Sequence, residues 1–199
     1  NVRQRIDKPI SHPWLSDRSD ARPVILSAGR LVAAKDHASL IRAVAKLEPA
    51  HHCRLIILGE GPKRDELAQL VAALGMADTV DLPGWVEDPL PYMARADVFA
   101  LSSRHEGLGM VLVEALAAGT PVVSTVCPSG PREILQNGRL GKLTPPGNEE
   151  ALAEAIAQTL RNPPESRTLR EGAAPFDVDF VAAQYRQAID HVFAATQPT

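Results

Sequence analysis

Two glutamates eight positions apart, Glu106 and Glu114, mark the stretch of this chain best suited to chemistry: residues 102–125, SSRHEGLGMVLVEALAAGTPVVST. Gly107 and Gly109 bracket a turn, and residues 110–118 read as a helix closed by Gly119. Apolar residues on nearly every face of that helix predict burial. Glu114 is the one charged residue between Gly107 and Pro131. An unpaired buried carboxylate costs several kcal/mol, so Glu114 either has a structural partner or faces a polar cavity at the helix start. Glu106 precedes that start. The first N–H groups of a helix lack internal partners and carry partial positive charge, so the end suits an anion, by about 0.3–2 kcal/mol. A carboxylate beside a bound phosphate addresses hydroxyls, because like charges repel. Glycine turn and paired acids together point to a phosphate-bearing ligand that also carries sugars.

Two cations form a second constellation. Arg30 and Lys35 lie in GRLVAAKD, directly after an apolar run. They could neutralise a diphosphate, each charged hydrogen bond contributing about 1.5–3 kcal/mol; a solvated basic loop is the plainer alternative. Gly59-Glu60-Gly61-Pro62 is a turn or a ligand contact, and not a dinucleotide fingerprint, because Arg64 stands where the third glycine is required. Trp85 and Val86 follow Gly84, and core packing is expected for the Trp85 ring. His37 and His105, near these loops, are expected to be exposed. The pair His51-His52 has no acid or cysteine at ligand spacing, which argues against a metal site. Asp177 and Asp179 echo a metal-binding DxD, yet their place suits a helix cap. No metal site is expected.

The elements that must position these groups alternate. Apolar runs at 23–27, 54–58, 79–82, 97–101, 121–123 and 141–143 read as buried strands, separated by helical periodicities such as Leu40, Ile41, Val44 and Leu47. Short helices are expected at 89–96 and 131–136, longer ones at 149–160 and 165–172, and a final one from Asp177 or Asp179 to about residue 195. This is a doubly wound α/β pattern with a parallel, Rossmann-like sheet. Ligands bind beyond the carboxyl ends of such strands, which gathers residues 29–35, 59–62, 84–86, 104–110 and 128–133 at one edge. Residues 1–21 read as an irregular linker arm with Trp14 packed on the domain surface, 22–176 as the binding domain and 177–199 as a C-terminal helix.

At 199 residues, with 45% hydrophobic and 23% charged residues, the chain suits one globular domain. A net charge of −3 and 4% aromatics speak against nucleic acid as a partner. Cys53 and Cys127 lack disulfide or zinc spacings, which favours a reducing compartment, and no run approaches membrane-spanning length. The chain opens at Asn1 and is expected to be part of a longer protein.

The segments GRL-x-x-x-K at 29–35, G-x-GP at 59–62, G-W-V at 84–86, EG-x-G with EA-x-A-x-G-x-PVV at 106–123 and the acid Glu133 resemble the group 1 retaining glycosyltransferases of GT-B fold. The resemblance covers roughly residues 22–195 and only the C-terminal, donor-binding half of that architecture. It implies that Arg30 and Lys35 bind the donor diphosphate, that Glu114 meets ribose hydroxyls and that Glu106 lies by the transferred sugar. Gly29, Gly61, Trp85, Val86 and the backbone of Gly107, Leu108, Gly109, Met110 and Val111 would complete the donor site. The turn Gly-Leu-Gly-Met departs from the Gly-Phe-Gly or Gly-Leu-Pro-Asn of many relatives, which leaves the sugar open. The resemblance further implies a UDP-sugar as donor substrate, no cofactor and no tightly bound metal. The acceptor, a sugar or lipid-linked glycan, would be bound by an absent N-terminal half. The implied setting is cytoplasmic synthesis of cell-surface glycans, any contact with the inner face of the membrane being made through that half. A nucleotide-sugar epimerase and a non-enzymatic binding module are the alternatives.

Overall fold

Unbroken aliphatic runs bounded by turn residues make strands that are covered on both faces. The computed structural model of the chain describes residues 2–17, 19–47 and 52–195. It forms β1 (Val24–Ala28), β2 (Arg54–Leu58), β3 (Val80–Gly84), β4 (Val98–Leu101), β5 (Val122–Thr125) and β6 (Gly141–Thr144). All pair in parallel, in the order β3-β2-β1-β4-β5-β6, as a doubly wound Rossmann-like sheet. Successive side chains alternate: Leu26, Ile56 and Phe99 enter one core, Ile25, Leu55 and Ala100 the other.

The second core is closed by α3 (His37–Ala45), α4 (Arg64–Ala73) and α8 (Glu149–Arg161). Asp36 starts α3 by accepting the Ser39 N–H and hydroxyl, and Asn148 starts α8 by accepting the Ala151 N–H at 2.9 Å. Leu40, Ile41 and Val44 of α3, and Leu152 and Ile156 of α8, are the buried stripes their spacing predicts. The first core is closed by α5 (Leu90–Met93), α6 (Met110–Ala118) and α9 (Ser166–Ala173), with α7 (Pro131–Ile134) at the sheet edge. α5 is shorter than expected, while α8 and α9 lie within a residue or so of the predicted bounds.

The arm is more ordered than its sequence suggests. Within residues 1–21, α1 (Val2–Ile6) and α2 (Pro13–Ser16) form because the domain holds them. The Arg5 guanidinium grips Asp88 through two bonds of 2.8 and 3.0 Å, and Arg95 donates to the Ile6 carbonyl at 3.0 Å. Leu15 is buried in the first core. Pro13 occupies the first position of α2, where its missing N–H costs nothing, and the His12 ring accepts the Trp14 N–H. Trp14 lies on the domain surface beneath the Arg54 guanidinium, 4.7 Å from the ring centre. At the other end α10 (Val178–Ala195) begins where Asp177 accepts the Asp179 N–H at 2.9 Å. Among the described residues no helix is long and apolar enough to cross a membrane.

Candidate functional site

Strand order reverses between β1 and β4, and a crevice opens beyond the carboxyl ends of the strands at such a point. A cleft of about 770 Å³ lies there. Gly29, Arg30, Lys35, Trp85, Val86 and Glu106 line it, together with the turn Gly107, Leu108, Gly109, Met110 and Val111. Two of the residues expected at the site lie outside its lining. Gly61 packs against the Leu31 backbone, so closely that a Cβ would stand 2.5 Å from the Leu31 carbonyl oxygen. Glu114 lies one turn further along α6, half-buried, with Arg5 and Asp88 as the charges that act on it.

The loops after β1 and β4 are stitched into one wall. Lys35 donates from Nζ to Glu106 Oε1 at 2.5 Å, and both side chains are well shielded, 22% and 9% exposed. The Ser102 hydroxyl donates to the Lys35 carbonyl at 2.9 Å, and the Arg104 N–H to the Ala34 carbonyl at 2.8 Å. Arg104 Nε reaches Asp36 at 2.8 Å. The Ser103 hydroxyl donates to Glu106 Oε1 at 2.6 Å. From the β5 side, the Ser129 hydroxyl contacts the Glu106 and Gly107 carbonyls at 3.1 and 2.9 Å. Close approach there requires glycine: at Gly130, φ is +86° and a Cβ would meet the Leu108 carbonyl oxygen at 2.0 Å.

α6 begins at Gly109 with no side-chain cap, so its first N–H groups face the cleft unfilled by the protein's own side chains. The all-round burial predicted for this helix holds on one side only. Leu112, Val113, Ala115 and Leu116 are buried, whereas Met110 is 50% exposed and Val111, Glu114 and Ala117 are intermediate. That face borders the cleft and the arm, which is why an apolar sequence leaves it uncovered. Glu114 has no hydrogen bond or ion pair among the described residues, and burial pushes its carboxyl above the usual range despite the nearby Arg5 charge.

Two expectations for single residues are corrected. Trp85 does not pack in the core; its ring is 71% exposed at the cleft mouth, because Gly84 ends β3 and turns the chain outward. His37 is not exposed but only 2% accessible, as the first residue of α3 beneath the β1 loop. The backbone of Gly29 and Arg30 lies close enough to favour a proton on the ring, yet neither ring nitrogen completes a hydrogen bond. Burial, aided by the Lys35 ammonium, lowers the His37 pKa to about 4, so the ring is neutral at pH 7. His105 is exposed as expected; His51 lies outside the described residues. Arg104 and Ser129 fall in the loops 104–110 and 128–133 that the strand-end rule gathers, without a role of their own, and Ser103 falls just outside them. The one signal for Ser103 is its place three residues before Glu106, and a serine near an acid in a loop is too common to identify.

Residues 13–175 match the family model described as glycosyl transferases group 1. Over 149 residues the chain is 43% identical to the lipopolysaccharide core biosynthesis glycosyltransferase LpsE of Rhizobium meliloti, covering 75% of this chain and 42% of that protein. Over 153 residues it is 40% identical to an N-acetylgalactosaminyltransferase acting on a diphospho-undecaprenol substrate in Campylobacter jejuni, covering 77% of this chain and 41% of that protein. The structure of Anabaena Alr3699/HepE in complex with UDP aligns with a TM-score of 0.76 at 29% identity, over 86% of this chain and 50% of that one. The chain thus spans about two-fifths of the length of these curated relatives.

Proposed function

The chain belongs to the group 1 glycosyl transferases, and on that premise we propose that it is the donor-binding half of a retaining enzyme using a UDP-sugar. The observation that carries this reading is the shielded Lys35–Glu106 pair beside the uncapped start of α6, at the point where strand order reverses. A diphosphate entering there would exchange Lys35 from Glu106 to its own oxygens, with Arg30 as a second cation at the cleft edge. As the bond from sugar to diphosphate breaks, charge grows on the leaving phosphate. Lys35, Arg30 and the α6 N–H groups would stabilise it in place, a role elsewhere given to a metal ion. Glu106, freed from Lys35, would accept hydroxyls of the transferred sugar, and Glu114 would meet the ribose.

The base identity is supported by kinship: HepE is described in complex with UDP and with UDP-glucose at 29% identity. Relatives named for lipopolysaccharide core and undecaprenol-linked glycans favour a role in cell-surface glycan or glycolipid synthesis. The acceptor would be bound by the N-terminal half of the two-domain architecture, and membrane contact would be made through it. No cofactor or tightly bound metal is required by this mechanism.

Calorimetric titration with UDP, GDP and ADP tests the reading. UDP is expected to be preferred, and Arg30→Ala and Glu114→Ala are each expected to weaken it about tenfold, or ~1.4 kcal/mol. Failure of all three nucleotides to bind at millimolar concentration would overturn the proposal.

A further inference from the structure

Ser103 sits just beyond β4 and is fully buried. Its backbone is clamped from β5: the carbonyl accepts the Thr125 hydroxyl at 2.5 Å and the Cys127 thiol at 3.2 Å. Its hydroxyl does one thing among the described residues, donating to Oε1 of Glu106 at 2.6 Å. Lys35 Nζ uses that same oxygen at 2.5 Å. Both bonds therefore load one side of the carboxylate, and Oε2 takes none among the described residues. An ionised carboxylate has acceptor sites on both oxygens, so Oε2 is the one left for a ligand hydroxyl.

Resting on the donor-site reading above, we propose that Ser103 is a positioning residue that fixes the Glu106 carboxylate for the sugar of the donor. Its importance grows when the site fills. A diphosphate that captures Lys35 removes one of the two bonds on Oε1, and the Ser103 hydroxyl then remains to hold the carboxylate orientation. An acceptor free to rotate loses more entropy on meeting a sugar hydroxyl than one already held. Ser103 thereby acts on recognition of the sugar and leaves the nucleotide alone. Its backbone clamps are independent of the hydroxyl, so Ser103→Ala removes only the bond to Glu106.

The test compares dissociation constants for UDP with those for UDP-glucose and UDP-GlcNAc, and takes as readout the gain from the tighter sugar. Ser103→Ala is expected to cut that gain about tenfold while UDP affinity stays within about twofold. Ser103→Thr restores the gain. On a Glu106→Ala background, where the gain is already lost, Ser103→Ala adds nothing further. If thermal melting shows that Ser103→Ala is unfolded, Ser103→Cys, a near-isostere with a weak donor, carries the comparison and is expected to lose part of the gain. An unchanged gain in the folded variant, or equal losses for UDP and UDP-sugar, overturns the positioning role. Wild-type protein that binds UDP with no gain from either sugar overturns it too, with the donor site left standing. Wild-type protein that binds no nucleotide brings down the donor-site reading itself.

Discussion

On the β1–β4 side of the cleft, charge is compensated inside the fold: Lys35 meets Glu106, Asp36 meets Arg104, and His37 is held neutral by burial. The neighbouring wall, made by α6, holds Glu114 half-buried and without a hydrogen bond among the described residues, its proton affinity raised by desolvation. The first wall is preorganised by pairs made inside the protein. The second keeps a half-buried carboxylate, eased only by the Arg5 charge, one turn beyond the cleft, which a stability criterion alone would replace with glutamine or leucine. The difference separates a wall built to hold its shape from one whose polar group awaits a partner.

The largest effect should come from breaking the first wall. Lys35→Met leaves Glu106 shielded and without its cation, which should cost about 3–5 kcal/mol in urea denaturation. The double variant Lys35→Met/Glu106→Leu should recover most of that loss; equal instability of single and double variants would show that the pair is not its source. His37 sharpens the same side through pH. Its folded pKa is about 4 against 6.5 for the free side chain, so its contribution to stability is full above pH 6.5 and is lost as pH falls through 4. The loss reaches on the order of 3 kcal/mol at pH 4. His37→Leu should flatten that acid limb in urea titrations at pH 7, 5.5 and 4; an unaltered limb would assign it to other groups. The smallest change belongs to the second wall. A carboxyl whose folded pKa is raised contributes stability below its unfolded pKa of 4.5 and loses it as pH rises. Glu114→Gln should therefore raise the melting temperature at pH 7 by roughly 1–2 °C and leave it unaltered at pH 4. A gain at both pH values would point to packing instead of charge.

The strands and the long helices are legible in the sequence, because a doubly covered strand must be an unbroken apolar run and α8 must carry a stripe. Asp36 and Asp177 announce their helices through the acceptor oxygen that a first turn needs. The arm is not legible: α1 and α2 are too short to persist alone and rest on Arg5 and Arg95 meeting partners 83 and 89 positions away and on the burial of Leu15. At the site, the residue types that carry charge were evident, and the strand-end rule gathered them at one edge. Trp85 and His37 depart from their expected burial for a common reason. An aromatic ring and an imidazole are each at home inside or outside, and the direction of a loop, set by Gly84 for one and by the start of α3 for the other, decides. Pairing could not be read either, since Lys35 and Glu106 stand 71 residues apart.

That separation has a consequence in time. β1 pairs with β2 on one side and with β4 on the other, and the crevice is complete only when the loop after β4 joins those after β1, β2 and β3. At 5–20 residues per second, roughly 4–14 s of synthesis pass between the emergence of Lys35 and that of Glu106. During that interval β2 and then β3 emerge and can pair beside β1 while the other edge of β1 stays open, Ile25 and Leu26 included. An open strand edge is a template for any extended segment that meets it. The β1–β4 seam thus closes only after β1 can already have paired with β2, and until β4 emerges a newly made chain offers that edge to a neighbour.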